Sequence, residues 1–112
     1  MTHTEKTTTA KRITKEEKKL LQEKTNRESL ALAIGTLENL QTNYTYKVNR
    51  ISKRLIHGLL DLLQHDDQNV SLSIRAANAI SVLVSMSHDR RIESHIRTML
   101  WQVVSNLEAI RE

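Results

Sequence analysis

The sequence predicts an all-α protein, an up-down-up-down four-helix bundle preceded by a basic tail with a short helix. Three observations carry that expectation. The 112 residues hold no proline, no phenylalanine and only two glycines, while leucine, isoleucine and alanine alternate with glutamate, lysine and arginine, a mixture that favours helix over strand or turn. Apolar residues recur at three- and four-residue spacing in four successive stretches, the period of a helix with one buried face. The connections between those stretches are short and polar, which makes consecutive helices antiparallel neighbours.

The chain opens with its charge. Residues 1–27 carry eight cations (Lys6, Lys11, Arg12, Lys15, Lys18, Lys19, Lys24 and Arg27) against four glutamates, whereas residues 28–112 carry nine of each sign, so the net charge of +4 belongs to the tail. The first thirteen residues offer too little apolar surface to offset the entropy of ordering, and they are expected to be largely disordered. Thr14 followed by Glu17 has the pattern of a capping box and opens a short exposed helix over about 14–24. The expected organisation is therefore a tail over 1–27 and a four-helix bundle over 28–112.

Thr25 with Glu28 reads as a second capping box, after which Leu30, Ala33, Ile34, Leu37 and Leu40 mark a first core helix ending near Gln41. Val48, Ile51, Leu55, Leu59 and Leu62, widened by Ile56, Leu60 and Leu63, form a second helix to about Gln64. His65 to Asn69 then reads as a loop of turn and capping residues. A third helix over about 71–86 shows Leu72, Ile74, Ala76, Ala77, Ile80, Leu83 and Val84. The fourth, over about 91–110, has the cleanest stripe: Ile92, Ile96, Met99, Val103, Leu107 and Ile110, with Leu100 beside it. The second helix has more apolar positions than one neighbour can cover, and Val82 with Met86 widens the third, which predicts a homodimer.

Much chemistry is excluded at the outset. Cysteine is absent, which removes disulfides, thiol nucleophiles and thiolate metal sites, and no apolar segment resembles a leader or a membrane span, so a cytoplasmic protein without a membrane role is expected. The histidines lack metal-ligand spacing, Ser87-His88-Asp89 places triad residue types where they cannot face one another, and both glycines fall inside helices. No catalytic residue, metal or cofactor is expected. In an up-down topology, however, the loops near 42–45 and 87–91 share one end, which gathers Lys47, Arg50, Lys53, Arg54, Arg90, Arg91 and Arg97 against Glu38, Asp89 and Glu93. Tyr44 and Tyr46 sit beside them as stacking candidates, although loop tyrosines more often pack over a bundle end. The opposite end is acidic.

The run Val70 to Ile80, then His95-Ile96-Arg97-Thr98, then Trp101 to Glu108 resembles the archaeal uncharacterised protein family 0147 over about residues 28–111. That resemblance implies a small all-helical bundle and an archaeal cytoplasmic setting, with no catalytic residues to carry over. The helix-opening loops of the family tend to carry proline; Tyr44-Thr45-Tyr46 and Asp89-Arg90-Arg91 carry none. The resulting expectation is a non-enzymatic binding module that associates with RNA or a ribonucleoprotein, the ribosome included. Lys11, Arg12, Lys15, Lys18 and Lys19 of the tail and the seven cations of the basic end would act through phosphate contacts rather than base reading. The competing expectation is a protein-interaction or structural module whose partner is another protein. Trp101, on the far side of the last helix from its apolar stripe, is either a partner-facing anchor or packed under the loops or the tail.

Overall fold

The structure, a computed structural model, describes residues 14–42, 48–65 and 69–112. Four helices account for most of them: α1 Lys15–Thr42, α2 Arg50–Gln64, α3 Leu72–Met86 and α4 Ser94–Glu108. Each packs against its neighbours in sequence, and α1 closes the ring against α4. This is the all-α bundle that the periodicity predicts. Taken pairwise around this ring, α1 with α2 and α3 with α4 make two layers that meet where α1 packs on α4 and α2 on α3.

Local signals start the helices. The Glu17 N–H donates to Thr14 Oγ1 at 3.1 Å, the Ser52 N–H to Asn49 Oδ1 at 2.8 Å and the Ile74 N–H to Ser71 Oγ at 3.3 Å, each satisfying a backbone donor that a helix start leaves open. Glu93 precedes α4 without capping it through its side chain. The core is Ala33, Leu37 and Leu40 from α1, Leu55, Ile56, Leu59, Leu60 and Leu63 from α2, Ala76, Ala79 and Leu83 from α3, and Ile96, Leu100, Val103, Val104 and Leu107 from α4. Ile92 and Ile110 close it from the flanking turns.

Two features differ from what the sequence predicts. The short helix over 14–24 and the first core helix are one continuous α1, which runs through the expected 27/28 boundary. Residues 22–28 contain neither glycine nor proline, so nothing breaks the hydrogen-bond ladder at Thr25. The C-terminus ties down this stretch: Gln22 Nε2 donates to the Ala109 carbonyl at 3.2 Å, and Asn26 both donates to the Arg111 carbonyl and accepts from the Arg111 N–H at 3.0 Å. In α3, Ile74, Ala77 and Val84 are exposed, although the spacing assigns them to the apolar face. α3 is apolar or small almost all round, and periodicity cannot select the buried face of such a helix. Val82 and Met86 are half-buried, and the surplus apolar positions of α2 are largely covered within the bundle, with only Ile51 and Leu62 half-buried.

Candidate nucleic-acid interface

The outer face of α2 follows from what its inner face buries. With Ser52, Leu55, Ile56 and Leu59 turned inward, the 3.6-residue period forces Arg50, Lys53, Arg54 and His57 outward, and all four are exposed. With Gln41 of α1 and Ile56 they line an open groove of about 440 Å³. None of the three permanent cations has an ion pair or hydrogen bond among the described residues. His57 Nε2 lies 3.5 Å from Asp61 Oδ2 with both side chains in solvent, a pair of little energetic weight.

Cations in the first turn of a helix oppose its dipole, and α2 contains no acid before Asp61. The compensation comes from the turn before α4. Glu93 Oε1 accepts from the Ser52 hydroxyl at 2.9 Å and Oε2 from the Asn49 N–H at 3.1 Å, while Asn49 Nδ2 donates to the Arg91 carbonyl. Ser52 is fully buried, so this carboxylate satisfies its hydroxyl and places negative charge at the α2 N-terminus on the inner side. The cations are left on the outer side. Sequence reasoning misses this network: the apolar period begins the helix at Val48, ahead of the Asn49 cap, and nothing local points to a partner 41 residues away.

The other expected contacts divide. Arg90 is exposed in the turn before α4. Arg91 is bound to Asp89, Nη2 to Oδ2 at 2.7 Å and Nε to Oδ1 at 3.0 Å. This fork holds the Asp89 carboxyl down at about 2 and raises Arg91. Arg97 is half-buried and turned back on its own loop, its Nη2 donating to the carbonyls of Asp89 at 2.9 Å and Ile92 at 3.2 Å. It serves the fold rather than the surface. Lys15, Lys18 and Lys19 are exposed on the first turns of α1. Because α1 is continuous and Gln41 lies beside Arg50, they stand about 35 Å from the α2 cations at 1.5 Å per residue. These three lysines and the basic end therefore do not form one surface. Lys11, Arg12, Tyr44, Tyr46 and Lys47 lie outside the described residues.

Among the described residues no three His, Asp or Glu side chains are placed to hold a metal ion, and no helix is long and apolar enough to cross a membrane. A family model matches residues 16–110, described as Uncharacterised protein family (UPF0147). The chain belongs to this family. The match begins within the first turn of α1, so Lys18 and Lys19 lie inside the UPF0147 region while Lys11, Arg12 and Lys15 precede it. The UPF0147 protein of Methanosarcina mazei is 30% identical over 83 residues, covering 74% of this chain and 85% of its own. That of Aeropyrum pernix is 44% identical over 46 residues, 41% of this chain and 50% of its own. Among solved structures, the crystal structure of MMP1188, a protein of unknown function, is similar with a TM-score of 0.65 and 28% identity, covering 77% of this chain and 93% of that one.

Proposed function

We propose that this UPF0147 protein is a non-enzymatic helical module that associates with RNA or a ribonucleoprotein, with Arg50, Lys53 and Arg54 as the principal phosphate contacts and Lys15, Lys18 and Lys19 as a second, distant set. The observation that carries this reading is the unpaired state, among the described residues, of three adjacent cations on the outer face of α2. Holding them there does nothing for the helix, whose dipole they oppose, and everything for an approaching polyanion. The separation of about 35 Å between the two sets favours an extended nucleic acid, since a small phosphorylated ligand cannot touch both. Contacts of this kind read the backbone and make affinity strongly salt-dependent.

The test is a titration of the full chain and of the Arg50→Glu/Arg54→Glu variant against structured RNA over a range of salt. The parent is expected to bind at low salt and to weaken steeply as salt rises. The variant should bind more weakly, with the log-affinity versus log-salt slope flattened by about 0.7–0.9 for each phosphate that is no longer neutralised, while its stability stays within about ±0.5 kcal/mol of the parent. A parent that ignores RNA at low salt would end this reading. A variant that binds like the parent with the same slope would move the interface to the α1 end.

A further inference from the structure

We infer that the outer face of α3 and α4 is a contact between two copies of this chain. Charged residues make up 27% of the sequence, yet none occurs from Ala76 to His88 or from Thr98 to Leu107. The two layers of the bundle thus differ in kind: α1 and α2 hold 14 Asp, Glu, Lys and Arg residues, whereas α3 and α4 hold three, Arg75, Arg97 and Glu108. Of those three, Arg75 and Arg97 fold back onto backbone carbonyls. Apart from Glu108, exposed in the last turn of α4, what remains outward is apolar, small or neutral. Trp101, Val84 and Ile74 are 47%, 43% and 49% exposed, set among exposed Ala77, Ser81 and Ser105. Trp101 flanks a narrow crevice against Leu83 and Met86 of α3, closed at one end by Ser87 and Ile92 of the connection, so the tryptophan stands at the seam between the two helices.

Depletion of charge around an exposed tryptophan is the composition of an interface core. A second copy fits it for two reasons. In a two-fold contact a surface meets itself, so any cluster of one sign would oppose its own sign; of the two layers, the α3–α4 layer carries no such cluster, Glu108 standing alone at its end. Its extent is of the order required. Two 15-residue helices, each about 22 Å long and about 8–10 Å apart, present a face whose relief brings it to the order of the ~800 Å² per partner that a stable dimer buries. Small side chains at Ala77 and Ser81 allow the facing helices to approach closely. The basic face of α2 lies on the other layer and stays open in such a dimer.

Sedimentation of the full chain from low to high micromolar concentration tests the assignment, with the mass expected to rise from 12.9 kDa to twice that value. Ser81→Glu and Val84→Glu place a charge on exposed positions of a helix interior, so the helical circular dichroism should be kept while the dimer dissociation constant rises at least about tenfold. Glu38→Lys, an exposed charge change on α1, should leave the mass unaltered. Trp101 is the single tryptophan, so its emission reports the face without any substitution and should shift to longer wavelength as the dimer is diluted. A chain that stays monomeric at hundreds of micromolar would overturn the assignment. So would a dimer indifferent to both glutamates, or Trp101 emission that does not change across the mass transition.

Discussion

Arginine meets two fates in the opening turns of these helices. In α2, Arg50 and Arg54 extend into solvent with no partner among the described residues. In the other layer, Arg75 and Arg97 each occupy the fourth position of their helix and reach back to the connection before it. Arg75 Nη1 bridges the carbonyls of Leu63, at 3.0 Å, and His65, placing a cation at the C-terminus of α2 where the dipole favours it. Arg97 Nη2 does the same for Asp89 and Ile92. In both, Nε is buried without a partner, so each guanidinium is held by one terminal nitrogen shared between two carbonyls. Residue type therefore says little about role here. What separates a binding cation from a structural one is whether open carbonyls lie within its reach.

Truncating one arginine of each kind puts that distinction to its most severe test. Arg97→Ala leaves two carbonyls without their charged donor and should cost about 1.5–3 kcal/mol, while Arg54→Ala should fall within about ±0.5 kcal/mol; urea denaturation reads both. RNA affinity should rank them in the opposite order, and equal stability losses would erase the distinction. A smaller effect is expected on the α2 face itself. Gly58 lies on it, and a Cβ there would meet nothing within 4 Å, so Gly58→Ala should stabilise the bundle by about 0.5–1 kcal/mol through helix propensity alone, raising Tm by a few degrees. A loss of stability would mean that the face is already covered. The smallest effect concerns Arg91. Its fork lowers the Asp89 carboxyl from the ordinary 3.8 to about 2, so the pair supports the fold above the unfolded pKa and ceases to do so as pH falls toward the folded one. An NMR titration of Asp89 should show that low midpoint, and Arg91→Ala should return it toward 3.8.

Legibility followed the range of the interactions. Leu37, Leu40, Leu59, Ile96, Val103 and Leu107 are readable as core because their spacing repeats the helical period, and all are buried. The caps Thr14 and Ser71 lie three residues from the N–H they satisfy, within what a local pattern can encode, although at Thr25 that same pattern misleads. There its neighbours Gln22 and Asn26 bond to the chain terminus across more than eighty positions, and an uninterrupted run of helix formers carries the ladder through. In α3, where every side offers small or apolar residues, only the packing of α2 and α4 against it decides that Ile74 and Val84 face outward.

The four helices of the bundle, the approximate boundaries of α2 to α4 and the basic excess of the first 27 residues were already written in the linear chain, because propensity, periodicity and formal charge act over one or two turns. Folding alone selected which cations remain available. It set Glu93 against the start of α2, turned Arg75 and Arg97 onto carbonyls, clamped Arg91 on Asp89, and put the α1 lysines and the α2 arginines at opposite ends. Most of these outcomes depend on a partner brought within about 3 Å by folding, and hydrogen bonds weaken too steeply with distance for a linear pattern to predict them.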